Sequence, residues 1–110
     1  MDIDSLTVGQ IKEIQSLIGA ANEGHPYQIG KNYLIRTVTM AFTGRIVAVT
    51  SQEIVLEEAA WIPDLGRFNE AVEKGSFSEV EPFQDEKVII GRGALIDATQ
   101  IKFSLPRKAK

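Results

Sequence analysis

Three arginines and a lone tryptophan carry most of the recognisable chemistry in this chain. Arg92 stands between Gly91 and Gly93 in IIGRGALI. The two glycines let the backbone approach a ligand closely, and a guanidinium grips a phosphate through two parallel hydrogen bonds. Arg67, in DLGRF, offers the same fork. Arg36 lies on a mostly apolar strand face, as a snorkelling residue at a sheet end or as one that faces a ligand. Trp61 either packs beside Phe68 and Val72 or stacks on a planar ring such as a base. His25 and Tyr27, in GHPYQIGKN, lie in a connection from which they could reach a ligand at a subunit boundary. Trp61, Arg67, Arg92, Arg36, Tyr27 and His25 are therefore the candidate ligand-binding residues.

Bond-breaking chemistry finds less material. The chain has no cysteine and one histidine, which excludes thiolate zinc sites, cysteine nucleophiles and a multi-histidine metal site within one chain. Glu57 and Glu58 adjoin in sequence but point to opposite faces of a regular strand, against a paired acid and base. The Gly-Arg-Gly run follows a strand without opening a helix, so it matches neither a P-loop nor a dinucleotide fingerprint. The expectation is a binding protein, not an enzyme, with no catalytic residue, no metal and no cofactor.

These residues must be positioned by a chain of 110 residues, enough for one domain with a modest core. Hydrophobic residues make up 44% and charged residues 25%, close to average globular usage, so the chain should fold. Fifteen acidic residues against twelve basic ones give a net charge of −3, which disfavours duplex DNA. The tail PRKAK is cationic and reads as a solvated, frayed end. No apolar stretch is long enough to cross a bilayer, and MDIDSL lacks the pattern of a secretory signal; a cytoplasmic protein is expected.

Periodicity then places the elements. Thr7 and Gln10 form a capping box ahead of Ile11, Ile14, Leu17 and Ile18, which predicts an amphipathic helix over about 7–20. Strands are expected over about 33–62 and 87–103. In the first, Leu34, Val38, Met40 and Phe42 alternate with Tyr33, Ile35, Thr37 and Thr39. Thr43 and Gly44 mark either a tight hairpin or a bulge in one bent strand. Thr50 to Glu53 mark a second break, with Ile54 and Leu56 beyond it facing one way. Leu65, Phe68 and Val72, with Asp64 as a cap and Gly75 as a stop, predict an inserted helix over about 64–75. SEVEPFQDE reads as an acidic linker. Two short strands follow, parted by a sharp bend at Gly91, Arg92 and Gly93.

The segments GRIVAV, IVLEEA and IIGRGALI resemble the two motifs of the Sm-like family, the small β-barrels that include Sm, Lsm and Hfq proteins. The fold class expected is mainly β (α+β): a five-stranded Sm-like small barrel with an N-terminal helix and a helical insertion between its third and fourth strands. The chain is also similar to short phage and prophage proteins, through NYLIRTVTM, TGRIVAVTSQEIVLEEAAWIPDLGRF and IIGRGALIDAT. Such proteins include structural components, regulators and counter-defence proteins that sequester host nucleotide signals. Thr50, Glu53 and Ala94 stand where RNA-binding Sm proteins carry aspartate or asparagine. A carboxylate repels phosphate and cannot donate to a base edge, so RNA ranks second among ligands.

A short sheet whose Val88, Ile89 and Ile90 are apolar on both faces presents an edge that seeks a partner. The resemblance implies pairing of the fourth strand with the fifth of a neighbour, a head-to-tail contact that closes into a ring. Val88, Ile89, Ile90 and Leu95 are the expected interface of a homo-oligomer, with a hexamer as one candidate. The function expected is sequestration of a small nucleotide-like ligand, such as a cyclic nucleotide or ADP-ribose type host immune signal, with no membrane partner. The rivals are an Sm or Hfq-like RNA-binding module and a phage structural or host-protein interaction protein.

Overall fold

The computed structural model describes residues 24–110; the helix expected over about 7–20 lies outside the described residues. The described chain is mainly antiparallel β, with six strands and one α-helix. The elements run β1 (Asn32–Thr37), β2 (Ala41–Val49), β3 (Glu53–Asp64), α1 (Phe68–Lys74), β4 (Glu79–Pro82) and β5 (Val88–Gly91). A 3₁₀ turn (Arg92–Ala94) and β6 (Leu95–Gln100) follow. The sheet order is β4-β3-β2-β1-β6, with β5 also paired to β3. Since β2 takes one edge of the long β3, the other edge serves two partners in turn. Glu53 to Leu56 pair with β5, and Ala60 to Asp64 pair with β4.

Alternating side chains in β1 feed both faces of the sheet, with Leu34 in one hydrophobic cluster and Tyr33 and Ile35 in another. The first cluster gathers Leu34, Ala41, Ala60, Ile62, Ala71, Phe77, Val80 and Ile101. The second gathers Tyr33, Ile35, Ile46, Ile54, Leu56, Ala59 and Ile90. The strand β3 contributes to both because its alternation is broken at Glu58, which adopts φ 50°. The left-handed residue keeps Ala59 on the face of Leu56 and turns Ala60 and Ile62 to the other. It also overturns the opposite-face expectation for the adjoining glutamates: Arg45 reaches Glu57 at 2.9 Å and Glu58 at 3.0 Å.

The Thr43–Gly44 alternatives resolve as a bulge, with the β2–β3 register shifting between Thr43 and Arg45. A side chain at Gly44 would begin 3.0 Å from the Leu56 Cβ, so the close approach of β2 to β3 needs glycine there. The first hairpin falls earlier, over residues 38–40, where the Thr37 hydroxyl accepts from the Met40 amide and donates to its carbonyl. Val38 and Met40 therefore leave the expected alternation and are exposed. The second hairpin falls at the expected break, with Thr50 Oγ1 accepting from the Glu53 amide at 2.9 Å.

Several expectations are corrected in the C-terminal half. The inserted helix starts at Phe68, not near Asp64, because β3 runs on to Asp64 and pairs it with Glu79. The Asp64 carboxylate accepts from Gly66 N in a turn instead of capping the helix. Gly75 does end the helix, at φ 70°. The acidic linker contains a strand, β4, with Val80 buried and Glu79 and Glu81 exposed, which makes six strands where five were expected. The cationic tail is docked, not frayed. Val80 and Lys110 exchange two backbone hydrogen bonds, and Arg107 donates to the carbonyls of Ala59, Phe83 and Gln84. Strand pairing after β5 ends at Gln100, short of 103, and Phe103 instead packs edge-on against Phe77.

Candidate functional site

The expected ligand residues divide between two places. The first forms where the Thr50–Glu53 hairpin meets the turn after β5. The Arg92 amide donates to Gln52 O at 2.8 Å, and its Nη1 donates to Thr50 O at 2.7 Å. Its guanidinium carbon lies 5.9 Å from the Tyr27 ring centre, within cation–π range. Tyr27 is braced edge-on by Tyr33, whose hydroxyl accepts from Gln28 N, and it faces His25 at 5.7 Å between ring centres. The Tyr27 amide donates to His25 Nδ1, so a neutral His25 carries its proton on Nε2. Side chains at Gly91 or Gly93 would meet nothing within 4 Å, so the backbone around Arg92 is open.

The second place is an open cleft of about 350 Å³ between the first hairpin, the far half of β3 and the start of β6. Trp61, Met40 and Ile96 wall it, Ala41 and Ile62 contribute buried floor, and Arg36 and Asp64 supply charge. Of the two alternatives for Trp61, core packing is not what is found: it is 39% exposed at the cleft. Arg36 is held from two sides. It pairs through two nitrogens with Asp97, directly opposite on β6, and lies 4.7 Å from the Phe68 ring centre. The carboxylate hydrogen bond raises the Arg36 pKa. The Arg36 guanidinium in turn holds the Asp97 carboxyl below its ordinary value, against the opposing effect of desolvation.

Charge accounting separates the arginines. Asp97 neutralises Arg36, while Glu57 and Glu58 neutralise Arg45 and raise its pKa, Glu57 most. Arg107 is spent on three carbonyls. Arg92 has no carboxylate within ion-pair distance among the described residues; Asp97 and Glu57 are engaged by Arg36 and Arg45. Arg67 is exposed just before α1, lines neither place and makes no side-chain hydrogen bond among the described residues. The candidates Trp61, Arg67 and Arg92 are not brought together. Arg92 is instead joined to Tyr27 and His25, and Trp61 to Arg36.

Of the expected interface residues, Ile90 is buried, Val88 and Leu95 are half-buried in the second cluster, and Ile89 is 61% exposed. Sequence reasoning missed Met40 and Ile96, which line the cleft, and Asp97 and Phe68, which hold Arg36 beside it. Asp97 carried the only available signal, a charge opposite to Arg36, but their pairing needs the β1–β6 register. Among the described residues no group of three or more histidines and carboxylates is placed to hold a metal ion, and no helix is long and apolar enough to cross a membrane. Comparison with family models, curated proteins and solved structures found no match.

Proposed function

We propose that this chain is a non-enzymatic, ring-forming binding protein of Sm-like build that holds a small nucleotide-like ligand through Arg92, with Tyr27 and His25 beside it. The observation that carries the reading is the Arg92 guanidinium, which no carboxylate compensates among the described residues. One of its nitrogens is fixed to a backbone carbonyl and its plane is steadied by Tyr27. An orientated cation without a carboxylate partner suits a phosphate or pyrophosphate, and His25 Nε2–H adds a neutral donor nearby. Affinity does the work in such a protein, and no bond is broken. Sequestration of a cyclic nucleotide or ADP-ribose type signal, as in phage counter-defence, is the biological role proposed.

The Sm-like build is supported by the order β6-β1-β2-β3-β5 and by the 3₁₀ turn between β5 and β6, with α1 and β4 as the insertion. Ring formation is supported by the outer edges of β5 and β6, which pair with nothing else among the described residues.

The test is a thermal melt of the full chain with cyclic dinucleotides, ADP-ribose derivatives and oligouridine. A ligand at a hundred times its Kd stabilises the fold by about 2.7 kcal/mol. Stabilisation by the small ligands, lost in Arg92→Ala, is the expected result. An RNA-binding function is the second reading, favoured by the contact of Arg92 with both Thr50 and Gln52, which joins the two loops that the Sm resemblance assigns to RNA. It predicts a salt-dependent response to oligouridine alone. No response to any of these ligands overturns both readings and leaves the structural or host-interaction role.

A further inference from the structure

We infer that the Trp61 cleft is one half of a contact between two copies of this chain, the other half being the neighbour's β5 with Ile89 at its centre. The inference rests on the ring reading above and adds which side chains meet.

Exposed apolar surface is concentrated at this cleft. Met40, Trp61 and Ile96 line it while 49%, 39% and 61% exposed, and Phe68, 42% exposed, lies under Arg36 at its side. A patch of this kind on a small protein marks an interaction surface. Its position indicates the occupant. Ile96 belongs to β6, at the bulge where the β1–β6 register shifts between Arg36 and Thr37. The outer edge of β6 is unpaired among the described residues, so a strand added there runs beside Ile96 and covers the open side of the cleft.

The chain itself supplies a matching strand. The outer edge of β5 is likewise unpaired among the described residues, and its residues Val88 and Ile90 face the second cluster. Ile89 therefore points to the opposite face of the sheet, where it is 61% exposed. A head-to-tail contact continues the sheet from copy to copy without inverting it. The neighbour's Ile89 then falls on the same face as Ala41 and Ile62, which form the floor of the cleft. An isoleucine left mostly exposed and a cleft open beside an edge that is unpaired among the described residues satisfy each other in one step.

Trp61 is the only tryptophan, so its emission reports directly on the cleft. The full chain is diluted serially while mass is followed by light scattering and Trp61 by emission wavelength and iodide quenching. Assembly is expected to shift the emission to shorter wavelength and to reduce quenching. Ile89→Asp should give a single chain with the dilute-state emission at every concentration, and Ile89→Leu should behave as the parent. Ile89 is mostly exposed, so the Asp variant should fold, and circular dichroism checks that it does. Assembly that leaves Trp61 equally quenchable, or that survives Ile89→Asp, overturns this inference and leaves the ring intact. A single chain at all concentrations overturns the ring reading as well.

Discussion

At the scale of single residues, the molecule tolerates two local costs, and each is open to measurement. Thr43 is fully buried and its hydroxyl has no hydrogen-bond partner among the described residues. Thr43→Val keeps the shape and removes an unsatisfied polar group, so it should raise stability by about 1 kcal/mol in chemical denaturation. Glu58 holds a left-handed conformation that glycine adopts freely and β-branched residues resist. Glu58→Gly should accordingly exceed Glu58→Val in stability by about 1–2 kcal/mol, since both lose the same exposed ion pair to Arg45. Arg92 has no carboxylate partner among the described residues, and its one side-chain hydrogen bond, to Thr50 O, is exposed, so it contributes little to folding. Arg92→Ala should leave the ligand-free melting temperature nearly unchanged while removing the shift produced by ligand. Arg92 was legible in the sequence because its flanking glycines are local. The strain at Glu58 and the orphan at Thr43 were not, because both arise from a register shared with other strands.

At the scale of elements, the joints between distant strands decide how the parts are held. Arg36 ties β1 to β6 through Asp97, whose folded pKa is depressed by that hydrogen bond. A depressed carboxylate contributes stability that is present above its unfolded pKa, about 3.9, and is lost as the pH falls through the lower folded value. Stability should therefore decline on acidification below about pH 4, and Asp97→Asn should flatten that part of the profile. The pair is about 40% exposed on its Asp97 side, so the effect is modest. The tail is the larger joint. Arg107 binds Ala59 O beside the kink at Glu58, and Lys110 pairs with Val80 on β4. Removing residues 106–110 should destabilise the chain by about 2–4 kcal/mol, through three lost charge-assisted hydrogen bonds and an uncovered strand. Composition alone made this segment look frayed, because its partners are carbonyls, which no sequence pattern records. The strand β4 escaped notice for a related reason: four residues with a single inward side chain, Val80, give too short an alternation to read. The alternation at the start of β1 and of β3 and the glycine stop of α1 were legible because each is set by residues adjacent in sequence.

At the scale of the whole molecule, two hydrophobic clusters on opposite faces of one sheet leave the outer edges of β5 and β6 unpaired among the described residues. Apolar runs in the sequence announced such an edge at β5. The partner edge at β6 and the cleft beside it depend on a bulge that only the assembled sheet creates. The proposed function requires that this chain work as an assembly of identical copies around small phosphate-bearing ligands. Native mass spectrometry of the full-length protein, taken directly from the cells that express it with their nucleotide pool intact, tests this most directly. The account predicts an integral multiple of the chain mass carrying an added small molecule that Arg92→Ala loses. A single bare chain at every concentration would contradict it.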